Sequence, residues 1–204
     1  MPFYETGTGR LHYELDGPEQ APVLVMSNSL GTNLSMGGMT GIWLGVYTPS
    51  RIDRLALCNT SAAIGVPEIW NTRITKVKQD GMESIIESVL ERWFTPGFLA
   101  HAPAQVDRVR KMLQETSVDG YVANCAAVRD MDQRSNLTSI TAPTLVIGGK
   151  HDKSTPPEHG ELISRAIKGS CYVELNAAHL SKWEVAQAFT QTLVEFLLNK
   201  NPSH

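Results

Sequence analysis

Cysteine is scarce in this chain and poorly placed for bridging. Cys58, Cys125 and Cys171 are odd in number and widely spaced, and no Cys-x-x-Cys pair occurs. This excludes a disulfide framework and a cysteine-rich zinc site. Free, buried thiols in a reducing compartment are the expectation. The six histidines lack metal-ligand spacing, so no metal is expected. No apolar run reaches the roughly eighteen residues that a membrane-spanning helix needs, and no basic segment leads into an apolar leader. A cytoplasmic protein with no membrane partner is therefore expected. Basic residues form no run and the net charge is −3, which gives nucleic acid no footing. Internal repeats and low-complexity tracts are absent too. What remains is 204 residues, 42% hydrophobic and 19% charged, the composition of one globular domain with a sizeable core.

The hydrophobic pattern alternates between strand and helix at both ends of the chain. Phe3-Tyr4 and Arg10 to Leu15 read as a hairpin around Gly7-Thr8-Gly9. Val23-Leu24-Val25-Met26 is continuously apolar, as in a strand buried on both faces of a parallel sheet. Gly37 to Val46 reads as a helix with Met39, Ile42, Trp43 and Val46 on one face, its glycines allowing close approach to a sheet. Further strands are expected at Ile52 to Cys58, Thr144 to Gly148 and Cys171 to Leu175, with helices at Glu158 to Ile167 and Ser181 to Leu198. The last helix would turn Val185, Phe189, Leu193 and Phe196 inward, and Ser181 with Glu184 has capping-box spacing. Between these blocks, residues 66–135 read as helical with no convincing strand, either a cap over a site or an ordinary helical subdomain. The expected division is a core of 1–65 and 136–204 with a helical cap at 66–135.

Three residues stand where this rhythm would support hydrolytic chemistry. Ser35 precedes a helical run, and Asp152 and His179 each follow a strand expected to neighbour the other. A serine hydroxyl needs a base to become a nucleophile. An imidazole supplies that base near neutral pH, and a carboxylate orients the imidazole. Each residue also has a plainer reading: Ser35 as a helix N-cap, Asp152 as part of a polar turn, His179 as a packed or surface histidine. His151 reads as a neighbour and not as the base. The string Asn33-Leu34-Ser35-Met36-Gly37 is a G-x-S-x-G turn with its first glycine replaced by Asn, a residue tolerant of positive φ. Backbone N–H groups of Met36 and Leu30 are candidates for the oxyanion hole.

At these residues the chain resembles the α/β-hydrolases, and among them the 3-oxoadipate enol-lactonase family. The resemblance is carried by Ser27-Asn28-Ser29-Leu30-Gly31-Thr32-Asn33, Ser35-Met36-Gly37-Gly38-Met39-Thr40-Gly41, Arg51-Ile52-Asp53-Arg54-Leu55, Arg92-Trp93-Phe94-Thr95-Pro96, Cys125-Ala126-Ala127-Val128-Arg129-Asp130, Pro143-Thr144-Leu145-Val146-Ile147 and Ala178-His179-Leu180. It implies a truncated α/β-hydrolase fold, a mostly parallel sheet with helices on both faces and a helical cap. It implies Ser35, Asp152 and His179 as catalytic residues, Leu30 and Met36 as oxyanion donors, and no cofactor.

The implied activity is hydrolysis of 3-oxoadipate enol-lactone, with another carboxylic-ester hydrolase or a non-catalytic binding remnant as alternatives. The implied partner is a small lactone or ester. Trp93 would shape an apolar wall, or belong to the cap's own core. Arg129 and Arg134 would meet the substrate's carboxylate, or sit on the surface. Relative to the family, roughly sixty residues are missing between the oxyanion loop and the nucleophile, including the strand that should feed Ser35. Val23 to Met26 would then take the vacated central position in a sheet of about six strands. Such a gap would weaken activity, and the apolar surface it exposes would favour aggregation or a homo-oligomer.

Overall fold

Thr144–Gly149 is buried at all six positions, and that strand organises the molecule. A strand with no solvent face must have neighbours on both edges and layers on both sides. In the computed structural model, which describes residues 3–6, 9–12 and 37–198, it has both. The strands Phe3–Thr6 (β1) and Gly9–His12 (β2) form the expected antiparallel hairpin. Leu55–Cys58 (β3), Thr144–Gly149 (β4) and Cys171–Leu175 (β5) form a parallel sheet in the order β3-β4-β5. Val23 to Met26 lies outside the described residues, as do Leu30, Ser35 and Met36.

Side chains alternate across β4 and so feed two different cores. Val146 points into a cluster with Leu55, Leu57, Ile163 and Ile167, closed by Ile42 of helix α1 (Gly37–Tyr47). Ile163 belongs to α7 (Pro157–Ala166), the crossover between β4 and β5. Leu145 and Ile147 point the other way, with Leu175, against Val185, Phe189 and Phe196. Helices thus cover both faces, as the apolar run Thr144 to Gly148 requires.

The middle of the chain is helical and builds a separate core. Helices α2 (Pro67–Asp80), α3 (Glu83–Trp93), α4 (Pro96–His101), α5 (Pro103–Glu115) and α6 (Val118–Asp130) pool Trp70, Val77, Leu90, Trp93, Val109, Leu113 and Tyr121. Two residues from outside the block, Met39 and Leu180, join that cluster. Burying each such side chain contributes about 1.5–3 kcal/mol.

Four local expectations change. Helix α1 approaches β3 through its glycine stripe: a Cβ on Gly41 would sit 3.3 Å from both Leu55 and Leu57, and one on Gly45 3.2 Å from Leu55. That contact turns Trp43 outward, 49% exposed against Tyr47, instead of inward with Met39 and Ile42. The last helix is two pieces, α8 (Ser181–Glu184) and α9 (Ala186–Leu198), because Val185 leaves helical geometry at φ −130°, ψ 50°. The Ser181–Glu184 capping box does not form; Leu180 is the N-cap, and both side chains reach outside the helix. Finally, Cys171 is exposed on the outer strand, whereas burial pushes the Cys58 thiol up to about 12 and the Cys125 thiol to about 11.

The end of β4 is locked onto the loop after β5. Lys150 N–H donates to Leu175 O (2.9 Å) and His151 N–H to Ala177 O (2.9 Å). A Cβ on Gly149 would meet Ala178 O at 2.4 Å and Ala177 O at 2.7 Å, both backbone atoms that cannot yield cheaply. Gly149→Ala should therefore force the two loops apart and cost about 1–3 kcal/mol, the usual range for overpacking. Urea denaturation measures this; an unchanged midpoint would show that the loops are not in register as described.

Candidate functional site

Asp152 and His179 stand in the loops after β4 and β5, and the parallel pairing of those strands brings them together. His179 Nδ1 lies 2.8 Å from Asp152 Oδ2, with the carboxylate fully enclosed and the imidazole 9% exposed. Burial of a charge on this scale is unfavourable unless the charge is fully paired. Here it is. Oδ1 accepts from the N–H groups of Ser154 (2.7 Å) and Thr155 (2.9 Å). Oδ2 accepts from the Thr155 hydroxyl (2.8 Å), from His179, and from Asn59 Nδ2 (3.3 Å). Burial alone pushes the Asp152 carboxyl up. The His179 charge and hydrogen bond, with the backbone and hydroxyl hydrogen bonds from Thr155, together outweigh it and hold the group below the ordinary carboxylate range. An ionised carboxylate only accepts, so Nδ1 carries a proton, and in the neutral ring Nε2 is the acceptor.

Asn59 is the residue that sequence reasoning missed. It ends β3, where its N–H donates to Ile147 O (2.8 Å) and extends the ladder. Its φ of 45° makes it the one non-glycine residue with positive φ among the described residues. Asparagine adopts that region more readily than most residues. The resulting turn aims its amide at Asp152 Oδ2 and Ala178 O (3.3 Å each), and its Oδ1 accepts from the Ser181 hydroxyl at 2.5 Å. The only signal in the sequence was an Asn directly after a strand, the position where such a turn begins.

The helical block is tied to the His179 loop at two points. Leu180 N–H donates to Trp93 O at 3.0 Å. The Glu184 carboxylate accepts from Ala178 N–H (2.7 Å) and from Thr95 N–H (2.5 Å). Trp93 itself is buried in the helical core, with its ring centroid 6.0 Å from that of His179. Arg129 and Arg134 are elsewhere. Each spends its guanidinium on a neighbouring exposed carboxylate, Asp130 at 2.7 Å and Asp132 at 2.5 Å. His151 bonds to Asn176 on the surface at 3.0 Å. No cluster of side chains among the described residues could hold a metal, and no described helix is long and apolar enough to cross a membrane.

Residues 34–186 match the family model of the alpha/beta hydrolase fold. The chain belongs to the α/β-hydrolase family. It is 36% identical to 3-oxoadipate enol-lactonase 2 of Acinetobacter baylyi over 78% of its own length, and spans 60% of that relative. With 3-oxoadipate enol-lactonase 1 of the same organism it is 26% identical, and the match covers 92% of each chain. The crystal structure of the enol-lactonase from Burkholderia xenovorans LB400 superposes with a TM-score of 0.92 at 32% identity, covering 96% of this chain and 99% of that one. The match to the second Acinetobacter relative runs over 246 positions, whereas 92% of this 204-residue chain is about 188 residues. The difference, about 58 residues, is chain that the relative has inside the matched span and this one lacks, in agreement with the expected internal deletion.

The depressed Asp152 carboxyl makes the pair pH-dependent in a known sense. A carboxylate held below its unfolded value stabilises the fold above that ordinary value, and the stabilisation is lost as pH falls through the folded one. Asp152→Asn should cost about 2 kcal/mol at pH 7, the magnitude of hydrogen bonds to a charged group. The gap between parent and variant should close as pH drops below about 4. Urea midpoints across that range test it; a gap that persists in acid would mean that the carboxylate's charge contributes nothing.

Proposed function

We propose that this chain hydrolyses 3-oxoadipate enol-lactone to 3-oxoadipate by a serine mechanism, at a rate reduced by its internal deletion. The observation that carries the reading is the buried Asp152–His179 pair, which leaves Nε2 of the neutral ring as acceptor, in a chain similar to enol-lactonases. In this reading residues 66–135 act as the cap over a core of 1–65 and 136–204. Ser35 Oγ attacks the lactone carbonyl as His179 Nε2 takes its proton, and the N–H groups of Leu30 and Met36 receive the developing oxyanion. Collapse of the tetrahedral intermediate breaks the ring C–O bond as His179 returns its proton to the leaving enol oxygen. The enol so released becomes a ketone while still tethered through the acyl chain. Water, deprotonated by His179, then frees Ser35. No metal or organic cofactor enters these steps.

The cost of the deletion falls on the nucleophile. Asp152 and His179 follow strands that this chain retains, whereas in sequence Ser35 stands next to the expected gap of about sixty residues. A displacement of about 1 Å costs on the order of 100-fold in rate. The same deletion favours a second reading, a non-catalytic remnant that keeps the acid–base pair but has no competent nucleophile.

Labelling with a fluorophosphonate, beside an enol-lactonase assay, separates the two. The hydrolase reading predicts slow turnover and a label abolished by Ser35→Ala. It predicts a drop of at least about 100-fold for His179→Ala, in line with the loss of a general base. Folded protein that takes no label and turns over no lactone contradicts it. Preference for simple aryl esters over the lactone would point instead to a different carboxylic-ester hydrolase.

A further inference from the structure

Asn59 carries one amide group with three partners, and two of them bracket His179 in sequence. Its Nδ2 donates to Asp152 Oδ2 and to Ala178 O, 3.3 Å each, and its Oδ1 accepts from the Ser181 hydroxyl at 2.5 Å. Ala178 precedes His179, and Ser181 stands two residues after it. The chemistry of the partners decides which way the amide faces. An ionised carboxylate and a backbone carbonyl only accept, so the NH2 group must point at them. The amide oxygen is left to the serine hydroxyl, the one partner of the three with a proton to give. Ser181 is 1% exposed, which keeps water from competing for that proton.

The donors to Asp152 divide by origin. Ser154 and Thr155 belong to its own turn, so their bonds travel with it. Among the described residues, only His179 and Asn59 hold the carboxylate from outside that turn. Since His179 is the group to be positioned, the acid's fixed reference is the end of β3. The Asn59 N–H bond to Ile147 O (2.8 Å) anchors the backbone there, and a φ of 45° aims the side chain. One amide therefore sets both the carboxylate and the histidine's loop against the same strand.

We infer that Asn59 is a positioning residue for the Asp152–His179 pair, and that Ser181 acts through it by fixing the amide's orientation. Without the hydroxyl, a half-turn of the amide would set its oxygen against Asp152 Oδ2, two acceptors with no proton between them. Both residues act through the hold of the carboxylate on the imidazole and not on the reacting atoms. For its effect on turnover, the inference rests on the reading that His179 is the general base.

The test separates the amide from the turn that carries it. Glycine takes a positive φ without strain, so Asn59→Gly keeps the backbone and removes only the side chain. A residue needed for the turn alone would tolerate that change. The readout is solvent exchange of the His179 Nδ1 proton, followed by proton–nitrogen NMR on the full chain labelled at histidine. Asn59→Gly should speed exchange by about tenfold or more, the scale of one lost hydrogen bond to a charged group. Ser181→Ala should act in the same direction, and should add nothing in the Asn59→Gly background, because its route runs through that amide. In an enol-lactonase assay the same variants should lower kcat and leave KM within twofold. Exchange within twofold of the parent for Asn59→Gly, losses that add in the double variant, a parent proton already in fast exchange, or a loss confined to KM would each overturn the inference. If Asn59→Gly does not fold, Ser181→Ala decides, and exchange within twofold of the parent is then the contradicting result. The NMR readout needs no turnover. A Nδ1 proton that depends on Asn59 in protein that hydrolyses no lactone would keep the inference while removing the hydrolase reading.

Discussion

One enclosed carboxylate holds the functional end of this molecule together. Asp152 accepts hydrogen bonds from its own turn, from the histidine beyond the neighbouring strand, and from the asparagine that ends the strand on the other side. Left unpaired, a buried charge costs several kcal/mol, so these donors are requirements and not embellishments. Because they come from β3, β4 and β5 in turn, satisfying the charge also fixes the three loops at one edge of the sheet. Stability and the orientation of the imidazole thus have the same source. The glycine that lets β4 run close under the Ala177-Ala178 backbone belongs to the same arrangement.

The helical block takes its position from this edge as well. It has its own apolar core, yet Leu180 inserts into that core while its N–H holds Trp93 O. Glu184 grips Thr95 with one oxygen and Ala178 with the other. The histidine is therefore clamped from the sheet side by Asp152 and from the helical side by residues next to it in sequence. All of these bonds are made by residues of the sheet-edge loops and of the helical block itself.

Much of this was legible in the residues. Thr144 to Gly148 read as a strand, and Asp152 and His179 stood out because each follows such a run. Where the sequence misled, a competing contact had prevailed, in several cases from a partner remote in sequence. Ser181 and Glu184 have the spacing of a capping box, but Asn59 and the Ala178 and Thr95 amides claim them instead. Trp43 fits an apolar stripe, but the glycines of α1 let a different face meet β3. Asn59 gave no warning because its contribution depends on a left-handed backbone, which a single asparagine permits without demanding. Arg129 and Arg134 were attractive as cations near the helical block, but carboxylates one and two residues away in sequence satisfy them first.

The account depends most on which nitrogen of His179 carries the proton. Long-range proton–nitrogen NMR on histidine-labelled protein reads the tautomer of the neutral ring directly, with no need for substrate or turnover. The structure requires Nδ1–H facing Asp152, so that Nε2 is the bare nitrogen of the neutral ring. A neutral ring protonated at Nε2 would mean that the carboxylate does not hold the imidazole, and the account of this site would fail.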